Sequence, residues 1–251
     1  MKSIDINSDL GEFQNTQELN KELKILKYIS SCSIACGGHT GDTTTIREIL
    51  KACKRNGVAV GPHPSYPDKK GFGRKKFGIS KKKLSESIKE QISLFIDVAD
   101  SLSMSVSHVK LHGRLYSDAS RDKELSLLLI DVIKSFKLNL AIIGPTKSSL
   151  EKECKSNRLL FLPEAFIDRV YKSNLTLVDR DKEVSVLNSI EEQVNQAEMI
   201  VCKRQVLTEN KKVVNLSAKT LCIHGDSPNS LEAVKAVRTM LNLKKVIVKP
   251  N

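Results

Sequence analysis

The chain has 251 residues, a net charge of +12, 40% hydrophobic and 28% charged positions. That length and composition allow one α/β barrel or two small domains with a real core. No run reaches the roughly 20 apolar residues that span a bilayer, and the polar start Met1-Lys-Ser-Ile-Asp-Ile-Asn-Ser-Asp9 lacks a signal-peptide core, so a cytoplasmic protein with no membrane partner is expected.

In chain order, Ser3–Ser8 reads as a strand and Thr16–Tyr28 as a helix with Leu19, Leu23 and Leu26 on one face. Ser33–Cys36 is the second strand. Asp42 caps a helix that runs through Lys54 and stops at Asn56-Gly57. Val58–Val60 is a third strand, and Gly61–Ile79 is a long loop of functional length. A helix from Ser80 to Ser101, strand Val106–Leu111, helix Lys123–Phe136 and strand Leu140–Ile143 follow. Helix Thr146–Ser156 and strand Leu159–Leu162 precede an irregular Asp168–Asp181 with room for a small hairpin. Helix Ile190–Lys203, strands Val213–Leu216 and Thr220–Ile223, helix Pro228–Leu241 and strand Val246–Val248 complete the pattern. These βα units run end to end without linker or repeat, which predicts a single domain over residues 1–251, an imperfect seven-stranded parallel β/α barrel.

All five histidines sit where an apolar run gives way to Gly, Pro or Asp. Side chains at the carboxyl ends of parallel strands converge on one mouth, so a shared polar site is expected. Period-two spacing puts Asp5, Asn7 and Asp9 on one face of the first strand, where a carboxylate needs a partner or a function. Asp9 is therefore a candidate general base or metal ligand. In Ala35-Cys-Gly-Gly-His39-Thr-Gly-Asp42 the glycines permit a tight turn. Helix capping alone would explain Asp42, whereas His39 has no such job and suits proton transfer. His63 is held between two prolines. His108, Lys110 and His112 share a strand face, and a lysine between histidines calls for an anion such as a phosphate or carboxylate. His224-Gly-Asp226 repeats the His39 pattern.

The six cysteines form no Cys-x-x-Cys pair and read as reduced core thiols. The densest basic run, Lys69 to Lys83, has no interleaved stacking aromatics, so no nucleic-acid partner is expected. A basic rim for an anionic substrate or an acidic partner subunit fits better.

Six segments occur in order: Asp5-Ile-Asn7-Ser-Asp9-Leu-Gly-Glu12; Ala35 to Asp42; Gly61-Pro-His63 to Asp68 with Phe72-Gly-Arg74; His108-Val-Lys110-Leu-His112-Gly-Arg-Leu-Tyr116; Glu164-Ala-Phe-Ile-Asp168-Arg169-Val-Tyr171; and Cys222-Ile-His224-Gly-Asp226. Together they resemble the LamB/YcsF family, the A subunits of prokaryotic-type 5-oxoprolinase, over nearly the whole chain. The resemblance implies a barrel of the glycoside hydrolase/deacetylase kind and ATP-dependent opening of the 5-oxoproline lactam to L-glutamate, ADP and phosphate. ATP, with Mg, would be a co-substrate; no organic cofactor is implied. The partners would be 5-oxoprolinase subunits B and C and a small-molecule substrate, with homo-oligomerisation left open.

Catalysis is expected from Asp9, His39, His63, Lys110 and His112. Substrate or nucleotide contacts are expected from Asn7, Glu12, Asp42, Arg74, Tyr116, Glu164, Asp168, Arg169, His224 and Asp226. Departures are Gly38 where the family usually has Phe, Leu111 where it usually has Pro, and Asn174-Leu175 where it tends toward Asp-Gly. The chain has no Gly-x-x-x-x-Gly-Lys-Ser/Thr loop, so an ATP site must be of another kind or be completed by a partner. Two other readings remain: a metal-dependent deacetylase or amidohydrolase with Asp9, His39 and His63 as ligands of a divalent metal, and a non-catalytic carbohydrate- or nucleotide-binding barrel.

Overall fold

The computed structural model describes residues 2–225 and 229–251, so Asp226 lies outside the described residues. Seven parallel strands form the barrel: β1 (Ser3–Leu10), β2 (Ser31–Ala35), β3 (Ala59–His63), β4 (His108–Lys110), β5 (Ala141–Pro145), β6 (Phe161–Phe166) and a later strand, Thr220–Cys222. That last strand pairs with both β1 and β6, and it follows a short antiparallel hairpin, β7 (Gln205–Leu207) with β8 (Val213–Asn215), so it is β9. β10 (Ile247–Val248) adds to the start of β1. The ring is nearly closed. Between β3 and β4 the join is a single bridge, Val60 to Val106, with the Ser107 amide donating to the Val60 carbonyl at 2.9 Å.

The expected helices form, and the Asp42 and Gly57 caps are as expected. Asn15 caps α1 (Thr16–Ile25), Asp42 caps α2 (Thr43–Asn56), and Gly57 ends α2 at φ 65°, where a Cβ would be strained. Ser80 caps α3 (Lys81–Ser101), and their buried faces pack on the strands. α4 (Gly113–Ala119) was not expected; it is short, begins with glycine and has no side-chain cap. α5 (Lys123–Lys134) and α6 (Ser149–Ser156) flank β5, and α7 (Ile190–Glu198) precedes α8 (Ser230–Leu243).

Most boundaries differ from the sequence reading by a few residues, β6 (Phe161–Phe166) in place of Leu159–Leu162 among them, and three differences have a clear local cause. β3 runs on through Gly61-Pro62 to His63, because it borders the weakly bonded seam where a missing N–H costs little. The helix read as Ile190–Lys203 changes at Met199 into one π turn that ends at Arg204 with φ 56°. Helix Thr16–Tyr28 stops at Ile25, in a turn closed by the Tyr28 amide. The irregular Asp168–Asp181 segment does hold a small hairpin, bridged Tyr171 to Leu177. Five of the six cysteines are buried and all are free. No helix among the described residues is long and apolar enough to cross a membrane.

Candidate functional site

The side chains of β1 build the site in layers along the barrel axis. Deepest is Asp5, which accepts from Ser30 (2.5 Å), Ser31 (2.7 Å) and Thr220 (2.6 Å) hydroxyls. Burial raises its carboxyl above the usual range despite those donors. One layer up, Asn7 Nδ2 donates to Glu164 Oε1 (2.9 Å) and to Thr220 Oγ1 (2.7 Å). Above it sits Asp9. The expected shared face of Asp5, Asn7 and Asp9 is thus the barrel interior.

Lys110 of β4 crosses this interior, with its ammonium 2.9 Å from Asp9 Oδ1, 2.7 Å from Glu164 Oε1 and 3.0 Å from Asn7 Oδ1. It also approaches Cys222 Sγ at 3.1 Å. The anion that Lys110 requires is therefore supplied by the protein's own carboxylates. Burial opposes the Lys110 charge, but Asp9, Cys222 and Glu164 outweigh it and hold the ammonium protonated well above the usual range. Burial likewise opposes ionisation of Asp9, yet His63 and Lys110 bring it down to about 2. Glu164 moves the other way: burial raises it against the pull of Lys110. Tyr116 donates to its Oε2 at 2.9 Å.

Three histidines gather above Asp9 around Glu12. Glu12 follows the turn at Gly11 (φ 82°), and Glu22 of α1 fixes that turn by accepting from the Gly11 and Glu12 amides (2.7 and 3.1 Å). Glu12 Oε1 lies 2.9 Å from His39 Nε2, 2.9 Å from His112 Nδ1 and 3.7 Å from His63 Nε2. The His39 and His112 rings stack at 3.6 Å between centroids. His63 Nε2 is 3.1 Å from His112 Nδ1 and 3.4 Å from Asp9 Oδ2. Burial depresses His63 to about 3 and also lowers His39, so both rings are neutral near pH 7.

The loop after β3 closes this cluster from above. The Phe72 carbonyl accepts from His112 Nε2 (3.0 Å), and the Phe72 ring meets His39 edge-on at 5.1 Å. Gly73 (φ 61°) turns the chain there, and a Cβ on it would lie 3.0 Å from the His112 ring.

On the β9 side, Asp168 Oδ2 accepts from His224 Nδ1 (2.8 Å) and from its amide (3.2 Å), while the ring stacks on Phe166. Burial opposes ionisation of Asp168, and His224 outweighs it. Arg169 is turned to the neighbouring loop, donating to the Ser185 and Val178 carbonyls (3.2 and 2.7 Å). Arg74 lies over the Phe72 ring at 4.8 Å. Asp42 is exposed, and its side chain accepts from the Thr45 amide, so helix capping accounts for it.

Among the described residues, two groups of donor atoms converge closely enough for a cation: Glu12 with His63 and His112, and Asp9 with Cys222 and His224. Neither is the Asp9, His39 and His63 set suggested by the sequence. Glu22, Phe72, Thr220 and Cys222 were missed as site residues. Phe72 and Cys222 at least stand inside the recognised motifs, whereas Glu22 and Thr220 look like ordinary helix and strand residues.

The LamB/YcsF family profile matches residues 4–251. A 5-oxoprolinase A subunit from Campylobacter jejuni subsp. jejuni is 35% identical over 245 residues, covering 98% of this chain and 95% of its own. One from Staphylococcus haemolyticus is 34% identical over 238 residues, with 95% of each chain covered. The crystal structure of a lactam utilization protein from Thermus thermophilus superposes with a TM-score of 0.91 at 32% identity, over 99% of both chains. A putative cellobiose-phosphate cleavage protein from Enterococcus faecalis (TM-score 0.60, 12% identity, 98% of this chain and 96% of that one) shares the fold alone.

Proposed function

Since this chain belongs to the LamB/YcsF family, we propose that it is the A subunit of a prokaryotic-type 5-oxoprolinase, hydrolysing the lactam of 5-oxoproline to L-glutamate with ATP as co-substrate. The observation that carries this reading is the near full-length similarity to chains named as the A subunits of 5-oxoprolinase. The site chemistry supports it. An unactivated lactam resists water, so its oxygen must first become a leaving group; transfer of the ATP γ-phosphoryl group to it, with ADP departing, does this. Water then adds to the activated carbon, the ring C–N bond opens to leave γ-glutamyl phosphate, and a second water hydrolyses that acyl phosphate to glutamate and phosphate.

In this reading Asp9 takes a proton from the attacking water, because it is ionised and sits at the mouth. Lys110 stabilises negative charge that develops nearby, from a dry position where a fixed charge acts strongly. His39, neutral at rest, acts as a relay: it takes up the proton that originates in the attacking water and hands it to the ring nitrogen. His224, held in one orientation by Asp168, positions the substrate. ATP, carried with Mg, meets the chain together with subunits B and C, and the +12 charge favours docking on an acidic surface.

The test is glutamate release from 5-oxoproline and ATP by the purified chain, alone and with subunits B and C. Little or no release alone, and restoration by both partners, is the expected result. Full activity of the isolated chain overturns the partner requirement; none in the complete mixture overturns the assignment.

A further inference from the structure

We propose that Glu12, His63 and His112 bind a divalent first-row transition-metal cation of the zinc class, through Glu12 Oε1, His63 Nε2 and His112 Nδ1. The argument begins at the far side of each ring. His63 Nδ1 faces the Lys110 carbonyl at 2.8 Å, and His112 Nε2 faces the Phe72 carbonyl at 3.0 Å. A carbonyl only accepts, so each of these nitrogens carries its ring's proton. His63 Nε2 and His112 Nδ1 are then the inner ring nitrogens, each placed to offer a lone pair. They point at one another across 3.1 Å and at the carboxylate oxygen of Glu12. Three ligand atoms converge, with His39 Nε2 approaching the same Glu12 oxygen from outside the triangle at 2.9 Å. A hydrogen bond joins only two of these atoms at a time, whereas one cation is shared by all three.

The dimensions agree. Donors about 2.1 Å from a metal are separated by roughly 3.0 Å in octahedral and 3.4 Å in tetrahedral coordination. The three separations here are 2.9, 3.1 and 3.7 Å. Backbone carbonyls on the outer nitrogens are the usual way a metal-binding imidazole is aimed. Two imidazoles and one carboxylate select zinc, cobalt, nickel, manganese or iron over magnesium or calcium. The other converging group, Asp9 with Cys222 and His224, already contains a cation: Lys110 Nζ lies 2.9 Å from Asp9 and 3.1 Å from Cys222 Sγ. The metal site does not depend on the lactam-hydrolase reading, and its test does not read turnover.

The experiment measures metal in protein purified without chelator, then titrates chelator-treated, dialysed protein separately with Zn²⁺, Co²⁺, Mn²⁺ and Ni²⁺. About one equivalent should bind, raising the thermal midpoint by mass action. The Glu12→Gln and His112→Ala variants, checked for folding by circular dichroism, should each lose binding at least ~100-fold, the scale of a lost ligand or its orienting partner. Cys202→Ser and Cys222→Ser should keep it. The cobalt(II) spectrum of the unaltered protein gives an answer that needs no variant: d–d bands without a thiolate charge-transfer band. Failure of all four ions to bind stoichiometrically overturns the proposal. So does a thiolate band, or metal lost in Cys222→Ser and kept in Glu12→Gln.

Discussion

At the scale of single residues, Asp9 separates shape from charge. Asp9→Asn keeps volume and hydrogen-bonding capacity but removes the negative charge that faces Lys110 and His63. If Asp9 activates water, substrate phosphorylation survives while ring opening stalls, so the complete enzyme should release ADP in excess of glutamate. Equal loss of both products would instead give Asp9 a binding role. Gly38 makes a second prediction. A Cβ there would sit 2.3 Å from Gln91 Oε1 and 2.4 Å from Ser65 Oγ. Gln91 of α3 is locked in that space by accepting from the Ser65 amide (2.9 Å) and donating to its carbonyl (3.0 Å). Gly38→Ala should therefore cost about 1–3 kcal/mol by overpacking. In a Gln91→Ala background it should cost less, since the Gln91 clash is gone and only the Ser65 hydroxyl remains. Strictly additive unfolding free energies for the double variant would contradict this.

Leu175 shows why some residues could not be read in advance. It occupies a turn at φ 67°, where the resemblance leads one to expect glycine, yet its side chain is buried in the main core. A left-handed leucine costs roughly 1–2 kcal/mol, and burying its side chain returns roughly 1.5–3 kcal/mol. That balance depends on neighbours from distant segments, which no local pattern reports. By contrast, Asp5, Asn7 and Asp9 were legible because strand alternation alone fixes their face. The histidines were legible because each ends an apolar run. Glu22 was not, since its role is to accept two amides from a turn about ten residues away.

At the scale of elements, the weak join of β3 and β4 decides what Gly61 must be. A Cβ on Gly61 would lie 2.1 Å from the His108 carbonyl oxygen, a backbone atom that cannot step aside without moving the strand. Gly61→Ala should destabilise the fold by about 3 kcal/mol or more, at the upper end of overpacking costs. Gly78, with open space around it and no positive φ, is the control. Gly78→Ala should be neutral or stabilising by a few tenths of a kcal/mol. Equal denaturation midpoints for the two variants would remove the steric explanation. The sequence reading placed Gly61-Pro62 in a loop for an understandable reason: both residues punctuate chains, and only the seam makes them acceptable in a strand.

For the whole molecule, buried histidines set the acid limb of stability. His108 lies inside the barrel, bonded to the Ser107 (2.8 Å) and Ser33 (3.2 Å) hydroxyls, and burial lowers it to about 4, with Lys110 adding to the effect. Below its ordinary value the unfolded chain takes up a proton that the folded chain refuses. The contribution is therefore complete above about pH 6.5 and falls away as the pH drops toward 4. A difference of that size is worth on the order of 3 kcal/mol. Asp5 acts in the opposite sense, because its raised carboxyl favours the folded form as it takes up a proton. Urea unfolding at pH 7 and pH 4.5 should show a smaller loss of stability for His108→Asn than for the unaltered chain. Identical losses would mean that His108 titrates normally.

The seam between β3 and β4 also joins two groups of site residues. Asp9, Glu12, His39 and His63 belong to the β1–β3 side, and Lys110, His112 and Glu164 to the β4–β6 side. Across the gap run the bond from His63 to the Lys110 carbonyl (2.8 Å) and the His112 amide to the Pro64 carbonyl (2.9 Å). Few ladder bonds hold this junction, so bonds made by the site take their place. Local opening should begin there, and amide hydrogen exchange should be faster in Gly61–His63 and His108–Lys110 than in β1. A ligand spanning the mouth should slow that exchange even at amides it never touches, because it fastens the two edges together.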